Sequence, residues 1–325
     1  MNELLFAINA TAPICLIVLI GYFLKRIGWI PHSLATSLNK LVFRLFLPAM
    51  LFLNVYKIEN FSGIDFTFVW YAIGATLALF VLGLVLVLVL FRENDKRGVL
   101  LQATFRANFA LIGIPLATSL FGETGEMTAT VLIAFIVPLF NLLAIVALSL
   151  FSEEKKFSLK DFLLTTLKNP LIVSIAAGFV ALLVRALFVR WGVSLRLVDI
   201  APIYKVLESL SAVATPLALV ALGAQFEFSA IPTLKREIVF GGLVRCLLVP
   251  ILGIGVALLI GGFEGAHFAT FVAVFCTPVA VSSVPMAQEM RGDVTLAGQL
   301  VVWTTLMSAA VVFVASFVLK LLQIF

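Results

Sequence analysis

The chain has 325 residues, of which 62% are hydrophobic and 12% charged, with a mean hydropathy of +1.18; an average soluble domain is about 45–50% apolar and ~25% charged. Such a composition cannot furnish the surface of a soluble globule, so the bilayer is the solvent for nearly the whole chain. At about 20 apolar residues per span the length holds about ten spans and short loops, with no room for a soluble domain, and the net charge of +5 lies between spans, where it sets orientation and implies no nucleic-acid partner.

In chain order, Met1-Asn2-Glu3 leads straight into an apolar stretch too long for a cleavable signal, so the first span is expected in the mature protein. Apolar runs separated by charged or Gly/Pro-marked breaks predict helices near 4–24, 34–55, 66–91, 98–120, 127–151, 169–190, 204–226, 235–260, 266–290 and 295–322. Cys15, Cys246 and Cys276 fall inside these runs without paired spacing and read as small buried hydrophobes, neither disulfide framework nor metal site. Lys25, Arg26, Arg92, Lys96, Arg97, Lys155, Lys156, Lys160, Lys168, Lys235, Arg236 and Arg291 lie on one side of the membrane. Mainly Lys57, Arg190, Arg196, Lys205 and Lys320 lie on the other. The positive-inside rule then places both termini outside the cytoplasm of a multi-pass inner (plasma) membrane protein. Residues 152–168 become a cytoplasmic linker between a first five-span repeat, 1–151, and a second, 169–325.

Prolines recur at corresponding places in these halves: Pro13 and Pro170, Pro48 and Pro216, Pro115 and Pro285. Five spans per half turn the second half upside down, the inverted-repeat design of many secondary carriers. Spans four and nine combine interior prolines with Gly, Ser or Thr. Helix breaks are therefore expected near Gly113-Ile114-Pro115 and between Pro278 and Pro285. Where two such breaks meet, the half-helix N-termini that follow present free N–H groups and partial positive charge, to which a carboxylate is complementary. The alternative is that the prolines only kink packed helices.

At these motifs the sequence resembles the auxin efflux carrier family, which includes bacterial malonate and malate permeases beside the plant PIN carriers. The matching stretches are LNKLVFRLFLPAMLF, FRANFALIGIPLA, KNPLIVSIAAG and TPVAVSSVPMAQEMRGDVTLAGQLVVWTTLMS. The resemblance implies an all-α fold of ten transmembrane helices as a 5+5 inverted repeat, with broken helices four and nine crossing at their centres, as in bile-acid transporters and NhaA. It also implies a scaffold containing spans one, two, six and seven, elevator-type alternating access, and a homodimer. PIN carriers commonly carry Asn two residues before the span-four proline; here that residue is Gly113, a departure that leans toward the bacterial permeases.

Ionisable residues at membrane depth are costly and each needs an account. Arg44 and Arg106 could neutralise an anion through a bidentate guanidinium fork; snorkelling or capping of broken-helix carbonyls is the alternative for both. Arg245 is expected to snorkel or pack. Asn108, Asn141, Thr277, Ser282, Ser283 and Gln288 supply uncharged donors and acceptors near the crossing, so the candidate substrate-binding set is Arg44, Arg106, Asn108, Gly113, Pro115, Asn141, Thr277, Pro278, Ser282, Ser283 and Pro285. Acids are scarce at depth, which favours an organic anion, dicarboxylate or auxin-like, over a cation; Glu208 is the candidate for proton coupling. His32 and His267 read as interfacial. HExxH, paired acids at depth, a Ser/His constellation and GxxxxGK[ST] are all missing. The expectation is a carrier of small organic anions in contact with membrane lipids, with no catalytic residues, metal or cofactor; a proton- or sodium-coupled exchanger of another solute, or an intramembrane enzyme, are the alternatives.

Overall fold

The computed structural model describes residues 13, 16–57, 66–151, 170–192 and 196–324. The expected linker, 152–168, and Cys15 lie outside the described residues. Every regular element among those described is helical. Helix α1 covers 16–26, α2 His32–Tyr56, α3 Thr67–Leu90 and α4 Asn94–Phe105. The tract Phe109–Leu150 is interrupted at Phe121 and Gly122, and its parts, 109–120 and 123–150, are α5 and α6. There follow α7, Pro170–Arg190, α8, Ala201–Gln225, α9, Lys235–Ile260, α10, Gly265–Phe275, α11, Ser283–Glu289, and α12, Val294–Leu321.

Among the described residues, seven stretches are long and apolar enough to cross a membrane: His32–Tyr56, Thr67–Leu90, Pro115–Leu150, Pro170–Arg190, Ala201–Gln225, Lys235–Ile260 and Val294–Leu321. The chain is thus a polytopic helical membrane protein. Expected spans four and nine do not form whole helices, because each is divided. At 1.5 Å per residue the 12 residues of α4 and the 11 of α10 reach only about 16–18 Å, roughly half of a ~30 Å hydrocarbon core.

Local sequence explains the irregularities inside the long helices. In α2 a π-turn runs over Val42–Phe46, with Leu47 N–H reaching back to the Val42 carbonyl. Pro48 follows it and cannot donate to the Arg44 carbonyl, so a wider turn absorbs the misfit. The same device occurs in α9, over Val244–Leu248 and ahead of Pro250. The bend between α5 and α6 needs glycine, since Gly122 sits at φ +60°, a region costly to other L-residues.

Two groups of helices flank the centre. The second half of α2 packs on α7 and α8, and α1 lies so close to α8 that a Cβ on Gly21 or Gly223 would strike the carbonyl of Val220 or Val18; such backbone contact is a mark of membrane helix pairs. In the other group, α10 packs along the Phe109–Leu150 tract, where the Thr128 and Thr270 hydroxyls meet at 2.6 Å. His267 belongs to this second group. It lies beside the loop at the start of α10, is buried within the protein, and stacks its ring on Phe68 with centroids 4.6 Å apart. Cys246 and Cys276 are free and buried, as their apolar settings predicted.

Candidate functional site

The two divided helices meet at their gaps. Arg106, at the end of α4, turns extended (φ −90°, ψ 111°), and Ala107 pairs with Val279 as an isolated antiparallel bridge. Asn108 N–H donates to the Pro278 carbonyl at 2.8 Å. The Val279 N–H finds Thr304 Oγ1 on α12 at 3.1 Å. Backbone freed from helix is thereby satisfied inside protein, the condition for irregular chain at membrane depth.

The gap in span four lies at Arg106–Asn108, upstream of the expected Gly113-Ile114-Pro115. Pro115 instead sits within α5 and is exposed, while Gly113 is buried beneath the Phe109 ring, which a Cβ there would strike. The gap forms where the other strand of the bridge is, and that partner comes from the second half of the chain. In span nine the gap covers 276–282, overlapping the expected segment, with Pro285 in the first turn of α11, where a missing N–H breaks no helix bond.

Arg106 is the centre of the crossing. It is only 1% exposed. Its Nη1 donates to Gln102 Oε1 at 2.7 Å and contacts Met286 Sδ at 2.9 Å, and its Nη2 donates to Asn141 Oδ1 at 2.8 Å and Ser282 Oγ at 2.7 Å. The Asn141 amide is fixed in turn by donating to the Val137 carbonyl at 2.7 Å. All four partners are neutral. A guanidinium this deep holds its charge through hydrogen bonds alone, so an arriving anion would find an uncompensated cation.

One helix N-terminus adds to this field: α5 follows Asn108 and has no side-chain cap, which leaves the positive end of its dipole at the crossing. In the first turn of α11, by contrast, the Ser283 and Val284 amides donate to the Ala280 and Val281 carbonyls, and Pro285 has no N–H. The buried Asn108 Nδ2, Gln102 Nε2 and Ser283 Oγ have no hydrogen-bond partner among the described residues. A cavity of about 40 Å³ opens here, between Arg106, Asn108, Asn141 and Ser282 on one side and Leu47 and Met50 of α2 with Thr215 of α8 on the other. That volume suits a few waters.

The structure therefore brings together Arg106, Asn108, Asn141, Ser282 and the Pro278 carbonyl, with Ser283 and Pro285 in the following turn. Thr277 turns its hydroxyl back to Ala273 O at 2.8 Å. Arg44 is elsewhere, 3.0 Å from Glu289 and largely exposed. Gln288 joins a polar cluster away from the cavity: its Nε2 donates to Thr36 O at 2.9 Å, and its Oε1 accepts from Asn39 and Gln225, each at 3.2 Å. These contacts bind α11 to α2 and α8. Glu208 is half-exposed on α8, 3.5 Å from Lys57.

Sequence reasoning missed Gln102, Met286 and Thr304, and noticed Arg245 without its role. Gln102 and Met286 stand one helical turn from Arg106 and Ser282, a spacing that could have found them. Arg245 neither snorkels nor merely packs. It is 1% exposed and donates from Nε to Thr277 O and from Nη2 to Val274 O, both at 2.8 Å. It thus holds the carbonyls at the end of α10, where the helix dipole favours a cation.

Comparison with known proteins agrees with this architecture. The family model described as membrane transport protein matches residues 6–316. An uncharacterized transporter of Methanothermobacter thermautotrophicus is 23% identical over 300 residues, 91% of this chain and 92% of that protein. Another, from Methanocaldococcus jannaschii, is 28% identical over 116 residues, 34% of this chain and 37% of that one.

Proposed function

The chain belongs to this membrane transport protein family, that of the auxin efflux carriers, and from that premise we propose that it is a secondary carrier of small organic anions, with a carboxylate bound at the crossing. The observation that carries the reading is Arg106: a buried guanidinium hydrogen-bonded only to neutral groups, facing the cavity beside the uncapped N-terminus of α5. A carboxylate displacing one of the two Nη2 partners, Asn141 or Ser282, together with the Met286 sulfur on Nη1 would accept two parallel N–H bonds from the fork. The bonds it replaces have a charged donor only; a carboxylate adds the opposite charge and a planar acceptor pair that matches the fork. A cation would meet the same field as repulsion.

The cavity's position supports elevator-type exchange of access within a ten-span inverted repeat. Its walls come from α2 and α8 on one side and the crossing on the other, so sliding the crossing past those helices would carry the bound anion with it. The cluster of Thr36, Asn39, Gln225 and Gln288 and the Arg44–Glu289 pair would open in that movement. In this reading the carrier is a homodimer of the inner membrane with both termini outside the cytoplasm.

Purified protein in liposomes should show saturable uptake of at least one of labelled malonate, malate or an indole-type acid. Arg106→Gln should reduce it at least about a hundredfold, since two charge-assisted bonds of about 1.5–3 kcal/mol each are lost. No saturable flux of any of these acids, or a variant as active as the parent, would sink the reading.

A further inference from the structure

On the opposite side of α12 from the crossing lie two apolar grooves that share one wall, the ring of Trp303. The first, about 180 Å³, runs between α1 and α12 and is bounded by Val18, Tyr22, Phe228, Val302 and Leu306. The second, about 360 Å³, runs between α9 and α12 and is bounded by Ile238, Gly242, Leu243 and Met307, with Lys235 at its mouth. The indole N–H is turned away to Gln299 Oε1 at 3.1 Å, which leaves carbon on both faces. Their lining residues run from Val301 to Met307 on α12, about 9 Å at 1.5 Å per residue, and from Lys235 to Leu243 on α9, about 12 Å.

Each mouth carries a cation with no acidic partner among the described residues. Arg26 is exposed and bonds, from Nη2 at 2.6 Å and Nε at 2.9 Å, to the neutral hydroxyl of Tyr22, whose ring walls the first groove. Lys235 is exposed at the first residue of α9, where the dipole disfavours a cation and favours an anion. The acid on the segment joining the two mouths, Glu227, forms an ion pair with neither among the described residues. We propose that these grooves are the seat of one anionic two-chain phospholipid, its acyl chains on either side of Trp303 and its headgroup phosphate between Arg26 and Lys235. Two adjacent apolar grooves with one cation at each mouth match that molecule in chain number and charge. A zwitterionic lipid would bring its own cation to a site that already has two.

The test is native mass spectrometry of the full-length protein released from detergent after exchange with phosphatidylglycerol or with phosphatidylcholine of the same chains. One phosphatidylglycerol per chain should be retained in clear preference to phosphatidylcholine. The double variant Arg26→Gln, Lys235→Gln should lose that preference by about fivefold per cation, the effect of one basic residue near an anionic surface. A Cβ on Gly242 meets Met307 only at ordinary contact, 3.4 Å from Sδ, so Gly242→Leu should fold and fill the second groove, lowering retention of both lipids. Equal retention of the two lipids, or full retention in Gly242→Leu, would overturn the proposal. So would a change in oligomeric mass on filling the groove, which would place a second copy of the chain on this face.

Discussion

Two arginines, each 1% exposed, stand at the two gaps of the crossing, yet they are held in opposite ways. Arg106 bonds to side chains: Gln102, Asn141, Ser282 and the sulfur of Met286. Arg245 bonds to backbone: the carbonyls of Val274 and Thr277. Side-chain partners can rotate away and be replaced by a ligand's oxygens. Carbonyls that close a helix end cannot, so Arg245 acts as a staple, while under the proposed function Arg106 would be available to a solute. Burial and residue type are the same; the partner's freedom to move separates function from architecture.

That contrast can be broken by substitution. The largest effect should fall on transport through Arg106. Beyond the loss of flux, Arg106→Gln should leave thermal stability in detergent within about 1 kcal/mol of the parent, because removing a buried charge relieves desolvation while an amide can still bond its neighbours. Arg245→Met should do the reverse. Two carbonyls would lose their donors at about 1–3 kcal/mol each, so the unfolding midpoint should drop sharply, with Arg245→Lys intermediate. Equal losses of stability in the two variants would erase the distinction.

A smaller effect should come from α12. Thr304 accepts the Val279 N–H while donating to Leu300 O at 2.7 Å. Thr304→Val preserves shape and leaves one buried amide without an acceptor, which should cost about 1–3 kcal/mol in thermal unfolding. Thr304→Ser should restore most of it. If Val and Ser variants are equally stable, the hydroxyl does not support the crossing.

How much of this was legible in the residues depended on how local the cause was. Hydropathy marked the long helices because each apolar run carries its own signal. Pro278 and Pro285 marked the second gap, since proline lacks the N–H that a continuing helix needs. Pro115 misled, because the first gap is made by pairing with Val279, a contact from the other half of the chain that no local pattern encodes. Arg106 was noticed as a charge at depth, and Asn108, Asn141 and Ser282 as polar groups nearby. Arg245 was equally visible but was read as packing, because its role lies in the geometry of the α10 carbonyls. Thr277 shows the converse: its hydroxyl satisfies its own helix and so leaves the site.

The smallest effect lies outside the hydrocarbon, at the start of α12, and it contrasts the crossing's fixed charges with a group that can titrate. Asp293 caps this helix, accepting Leu296 N–H at 2.8 Å. Burial raises its carboxyl pKa above the ordinary aspartate value, as does nearby Asp95; the bonds from Leu296 and Thr295 and the charge of Lys96 pull the other way without cancelling the rise. A folded-state pKa above the unfolded one means that the folded protein binds the proton more tightly. This group's contribution to stability is then largest below the ordinary aspartate range and is lost as pH rises through the folded-state value. Asp293→Asn keeps a good N-cap and removes the titration. Unfolding midpoints measured across acidic pH should therefore lose this declining component in the variant, while those of Arg106→Gln keep it. A parent and Asp293→Asn that run parallel over that range would show that the carboxyl is not linked to folding.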